Sequence, residues 1–98
     1  MSTPQGTIKY HEGTNGADMT ITSEQLRAAR ALVRWEQADL AEATGLASGT
    51  VKRLERAPGP LAAQARTVDG IVKAFEAVGV TFTSADGRAC VCYTPKNG

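Results

Sequence analysis

The sequence predicts a mainly α fold: a bundle of four helices closed by a C-terminal β-hairpin. Three observations predict it. Apolar residues recur at spacings of three and four in four separate stretches between Leu26 and Val78, the period of a helix with one buried face. The stretches are divided by Trp35-Glu36, by Gly45 and by Ala57-Pro58-Gly59-Pro60. After Gly79 the period changes to two, with Val80 and Phe82 alternating with Thr81 and Thr83 ahead of Ala85-Asp86-Gly87-Arg88. That is the pattern of a strand entering a tight hairpin turn.

The elements follow in order. Residues 1–19 are polar, Gly/Thr-rich and without sustained period, and read as a flexible arm rather than a secretory signal. The patterned chain begins just after Met19. Residues 20–79 form the helical domain, 80–94 the hairpin and 95–98 a tail. In the first helix Ser23 is the expected N-cap, Glu24 suits the helix dipole, and Leu26, Ala29 and Val33 with Ala28 and Leu32 form the apolar stripe. A second helix runs roughly over 37–44 with Leu40, Ala41 and Thr44 inward, and Gly45 stops it. A third runs roughly over 48–56, capped by Ser48, with Val51 and Leu54 inward. A fourth starts at Thr67 and presents Val68, Ile71, Val72, Phe75 and Val78 before Gly79. Cys90-Val91-Cys92-Tyr93 is the returning strand.

The stretch from Gln37 to Leu54 carries the functional signal. Ala41 falls where the second and third helices cross, and a larger side chain there would force them apart. Gly45 falls in the turn, where a left-handed backbone is needed. Leu40, Leu46, Val51 and Leu54 seal the pair. These positions in register are those of a helix-turn-helix.

On these residues the chain resembles the phage-repressor-like helix-turn-helix proteins, the XRE or lambda-repressor-like family. The likeness runs through Leu26-Arg27-Ala28-Ala29-Arg30, Gln37-Ala38-Asp39-Leu40-Ala41, Gly45-Leu46 and Thr50-Val51-Lys52-Arg53-Leu54-Glu55. It continues through Gly59-Pro60-Leu61, Thr67-Val68, Ala74-Phe75-Glu76 and Gly79-Val80-Thr81-Phe82. It is similar there to a compact bacterial subgroup ending in a short strand or hairpin. The resemblance implies a bundle of four or five helices and a cytoplasmic transcriptional regulator, more often a repressor, that binds double-stranded DNA as a homodimer on a palindromic site. It makes the third helix the recognition helix, with Ser48, Gly49, Lys52 and Arg53 at base edges and Thr50 and Gln37 at phosphates. It matches Arg30 and Glu55 to a structural ion pair between the first and third helices. Glu36 departs from the Ser or Thr usual before that Gln. Gly49 offers no side chain, so Arg53, which can grip guanine O6 and N7 bidentately, and Lys52 carry the expected readout.

Composition narrows the remaining choices. The chain is 42% hydrophobic and 21% charged, an ordinary globular balance, and no apolar run approaches bilayer length. No nucleophile–base–orienter set, phosphate loop or paired-carboxylate site can be assembled, so an enzyme is not expected, nor a cofactor or metal. Trp35 is expected in the packing. Arg27 and Arg34 suit either solvent or phosphate. Cys90 and Cys92 share a strand face and are expected as small core residues, with a redox or interchain role as the minor reading. Phe82, Val91 and Tyr93 exceed what an isolated hairpin needs, so the hairpin is expected to form a dimer interface. The net charge is +1, and residues 23–56 hold six basic against five acidic side chains. Non-specific DNA affinity is therefore expected to be weak. The same number supports the alternative, a protein-interaction or antitoxin-like adaptor whose helix-turn-helix is secondary.

Overall fold

A computed structural model describes residues 20–95. Four helices, α1 (Ser23–Val33), α2 (Gln37–Thr44), α3 (Ser48–Arg56) and α4 (Ala65–Glu76), precede the strands β1 (Val80–Ala85) and β2 (Arg88–Tyr93). The fold is thus mainly helical with a terminal antiparallel hairpin. The expected arm at 1–19, and 96–98 of the expected tail, lie outside the described residues.

Three helix starts differ from the sequence expectation. Thr22, not Ser23, caps α1: Gln25 N–H donates to Thr22 Oγ1 at 3.0 Å, and Thr22 N–H donates to Gln25 Oε1 at 2.9 Å. The reciprocal box needs Gln or Glu three residues after the cap. Thr22 has Gln25 there; Ser23 would have Leu26, and Ser23 is instead the buried first helical residue. The N-cap of α3 is Ala47 rather than Ser48, its carbonyl accepting from Thr50 and Val51 N–H. The cap of α4 is Gln64, three residues before Thr67, because Ala65 and Arg66 are good helix formers and carry the helix back past the hydroxyl.

The core draws on every helix and on β1. Ile21, Leu26, Ala29, Leu40, Ala41, Val51, Leu54, Val68, Ile71, Val72, Phe75, Val80 and Phe82 are its buried apolar residues. Phe75 stands at its centre. Trp35 packs on it with centroids 5.0 Å apart, and Phe82 meets it edge to face at 5.6 Å and 80°, a favoured aromatic arrangement. Ala28 and Leu32 are exposed, correcting the wider stripe expected for α1. They fall outside the arc set by Leu26, Ala29 and Val33, and Gln25 is buried in their stead.

Two connections hold the ends of the bundle. After α3 the chain runs antiparallel to 21–23: Ser23 N–H donates to Gly59 O and Leu61 N–H to Ile21 O. Gly59 N–H also donates to the Glu24 carboxylate at 3.2 Å. Backbone donors, first Glu24's own N–H and then that of Gly59, hold this carboxyl below its ordinary value. At the other end, Gly79 leaves α4 with φ +98°, and a Cβ there would run into the Thr94 carbonyl. Thr94 N–H donates to Gly79 O at 2.8 Å and closes the base of the hairpin.

The hairpin turns at Asp86-Gly87, both with positive φ, and pairs Val80 with Tyr93, Phe82 with Val91 and Thr83 with Cys90. It packs on the helices of its own chain: Gln25 Nε2 donates to Thr83 O at 3.2 Å and to Cys90 O at 3.0 Å. Two expectations are corrected. Cys90 and Cys92 are exposed, because residues opposite one another share a face and the inward face belongs to Val80, Phe82 and Val91. Phe82 is buried against Phe75, so it is not available to a dimer interface; Val91 is half-buried and Tyr93 exposed.

Candidate functional site

The α2–α3 unit is set by a few local bonds. Asp39 accepts from Glu36 N–H at 2.8 Å at the start of α2. At its end Thr44 Oγ1 donates to Leu40 O at 2.8 Å, and Leu46 N–H donates back to Thr44 Oγ1 at 3.3 Å. Gly45 adopts φ +79° and donates to Ala41 O. A Cβ at Gly45 would meet nothing, so the turn needs glycine for its left-handed backbone alone. Leu40 and Ala41 are buried and Leu46 half-buried beneath the crossing, as expected for a close helix pair.

One carboxylate fixes α3 against the other two helices. Arg30 Nε donates to Glu55 Oε2 at 2.6 Å and Nη2 to Oε1 at 2.7 Å, a bidentate pair. The Glu55 side chain is 3% exposed and that of Arg30 18%. Arg30 Nη1 also donates to Trp35 O, tying the end of α1 to the start of α2. Gln37 Nε2 donates to Glu55 Oε1 at 3.0 Å. Arg27 Nη1 donates to the Glu55 carbonyl at 2.7 Å, at the last turn of α3. Burial pushes the Glu55 carboxyl up, but the hydrogen bonds from Arg30 and Gln37 and the charges of Arg30 and Arg27 outweigh it and leave it below its ordinary value. The hydrogen bonds that Arg30 donates to Glu55 raise Arg30 in return.

The sequence-derived residues therefore divide. Arg30 and Glu55 form the expected pair. Gln37, expected at a phosphate, donates its half-buried amide to Glu55 where α2 meets α3. Arg27, read as solvated or phosphate-facing, is a helix-end donor. That role was not legible because it depends on where α3 ends in space. Trp35 packs on Phe75 as expected.

On the opposite side of α3, Ser48, Gly49, Lys52, Arg53 and Arg56 are exposed and Thr50 is half-buried, while Val51, Leu54 and Glu55 face inward. Lys52 and Arg53 make no hydrogen bond or ion pair among the described residues. The outer face of α3 thus presents hydroxyls, a bare backbone position and three cations. On α2, Asp39 and Glu42 are exposed. Among the described residues no cluster of three or more His, Cys, Asp or Glu is placed to hold a metal, and no helix is long and apolar enough to cross a membrane. Compared with known proteins by sequence, the chain matches no family model and no curated protein.

Proposed function

We propose that the protein is a sequence-specific DNA-binding transcriptional regulator, acting as a repressor, in which α2, the Gly45 turn and α3 are a helix-turn-helix. The observation that carries this reading is the division of α3. Its inner face is anchored through Val51, Leu54 and the Glu55 network, and its outer face carries Ser48, Lys52, Arg53 and Arg56 in solvent. A rigidly held helix with free long donors on its outer side suits the major groove, which admits one helix. Arg53 is assigned to a guanine edge, Lys52 to a base or phosphate, and Ser48 and Thr50 to phosphates. Gly49 lets the backbone approach the duplex. Two copies on a palindrome would supply the area that one short helix lacks.

Selecting bound duplexes from random DNA and reading the half-site spacing tests DNA binding, symmetry and specificity together. Two inverted half-sites about one helical turn apart are expected. Affinity should fall steeply with salt while a large preference over random DNA persists. Arg53→Ala should cost about 1–3 kcal/mol on the selected site and relax preference at one base position. Equal loss on every sequence would place Arg53 on phosphate. The net charge of +1 favours a second reading, a protein-interaction or antitoxin-like adaptor; failure to enrich any duplex would support it.

A further inference from the structure

The two-residue turn makes Ala85–Arg88 the first hydrogen-bonded pair of the hairpin, and hydrogen-bonded and non-hydrogen-bonded pairs alternate from there. The bond from Thr94 N–H to Gly79 O, three such pairs further on, fits this phase. The N–H and C=O groups of Ala89, Val91 and Tyr93 therefore point away from β1, along the free edge of β2. None of them is bonded among the described residues. Val80 and Phe82 of β1 are buried against the helices, whereas every residue of β2 but Val91 is exposed. Gln25 reaches Thr83 O and Cys90 O, carbonyls that lie between the strands, so α1 packs on a face of the hairpin, chiefly against β2, and takes none of the outward backbone groups of β2. From Ala89 to Tyr93 that edge has no charge and no proline, the usual devices that keep an open edge from pairing.

We propose that β2 pairs antiparallel with β2 of a second copy about a two-fold axis at Val91, and that the pairing creates a redox site from two cysteines of each chain. Only this register engages all three outward residues of both strands: Val91 with Val91 of the second copy, and Ala89 with its Tyr93. It sets Arg88 opposite Thr94 of the second copy, so no like charges meet. Cys90 then lies directly opposite Cys92 of the second copy, and Cys92 opposite its Cys90, in non-hydrogen-bonded pairs. Such pairs hold their Cα atoms about 4.5 Å apart, within the roughly 4.4–6.8 Å that a disulfide spans. All four thiols stand on the solvent face, where Cys90 and Cys92 are exposed and free.

A low-molecular-weight disulfide such as oxidised glutathione supplies the oxidant. One cysteine thiolate attacks it, forming a mixed disulfide and releasing one glutathione thiolate. The facing thiolate of the second copy attacks the protein sulfur, forming the interchain bond and releasing the second glutathione. Each bond thus oxidises two cysteines and reduces one glutathione disulfide. Two such bonds convert a weak edge pairing into a covalent dimer. The proposal supplies the two-fold that the DNA-binding reading asks for but rests on the hairpin alone, and its test contains no DNA.

The full chain is oxidised with glutathione disulfide and examined by intact mass and non-reducing gel, alongside Cys90→Ala and Cys92→Ala. Melting curves of the reduced proteins check that these exposed substitutions leave the fold intact. Wild type is expected to give a covalent dimer short of four hydrogens and reversible by dithiothreitol. Neither single variant should crosslink alone, because its remaining thiol faces alanine. An equal mixture of the two should crosslink as a heterodimer, since Cys92 of one faces Cys90 of the other. A wild-type monomer that stays reduced, or that closes a bond between its own Cys90 and Cys92, overturns the proposal. So does crosslinking of either single variant by itself to the extent seen in the mixture, which would mean another register or random thiol collision.

Discussion

Helices α1 to α3 are tied together by an ion pair and the hydrogen bonds around it, whereas α4 and the hairpin are joined to them mainly by apolar contact, with two amide bonds from Gln25 to the hairpin beside it. In the first region one carboxylate, Glu55, receives Arg30 from α1 and Gln37 from α2, and its carbonyl receives Arg27. In the second, Phe75 meets Trp35 and Phe82 over Val80, with no ion pair between α4 and the hairpin among the described residues. Apolar burial is roughly proportional to area and indifferent to angle. A bidentate pair fixes direction as well as distance. The region that must hold one helix at a defined angle uses the second device, and the region that supplies bulk stability uses the first.

The largest effect should come from breaking the apolar side. Phe75→Ala removes the ring shared by Trp35 and Phe82 and should cost about 3–5 kcal/mol, measured by urea unfolding with circular dichroism. A loss below about 1 kcal/mol would mean that α4 and the hairpin do not depend on this contact. Next is the polar side. Arg30→Met strands a buried carboxylate and should cost about 3 kcal/mol, while Arg30→Met combined with Glu55→Met should recover most of that loss. If the double variant is the less stable of the two, the pair is a net stabiliser and the two regions differ less in how they are held.

The glycines offer a smaller, paired comparison. Gly79→Ala adds a clash with the Thr94 carbonyl to a positive φ, whereas Gly45→Ala adds the positive φ alone. The second should cost about 1 kcal/mol and the first clearly more; equal costs would show that the base of the hairpin yields. The smallest effect is on pH. Glu55 has a folded value below its unfolded one, so the unfolded chain binds the extra proton. Its contribution is complete above the ordinary value near 4.5 and is lost as pH falls through the lowered folded value. Glu55→Gln should flatten that acid slope more than Glu24→Gln, because Glu24 is exposed. Parallel slopes for both variants and wild type would remove Glu55 from the acid response.

Much of the fold was legible from period and punctuation. The helical repeats, the Gly45 turn and the Asp86-Gly87 turn are local patterns, and so are the inward positions Leu40, Ala41, Val51, Leu54 and Ile71. Helix starts were less so. Ser48 and Thr67 have the chemistry of caps, but neighbouring helix formers and the reach of the preceding carbonyls moved the ends. Of the candidate site, the exposure of Lys52 and Arg53 followed from helix phase, and the Arg30–Glu55 pair from the family resemblance. The inward turn of Gln37 and the reach of Arg27 to the end of α3 did not, since both depend on distances between residues far apart in sequence.

The sequence by itself determined which residues can be helix, turn and strand, because backbone period and positive-φ sites are properties of a few neighbours. It also determined that Cys90 and Cys92 share one face of a strand, because side chains alternate. Only the tertiary structure decided which face that is. Phe75 and Gln25 take the side bearing Phe82 and Val91, since the large apolar ring gains more from burial than a thiol does. That choice spends Phe82 inside its own chain and leaves both thiols in water.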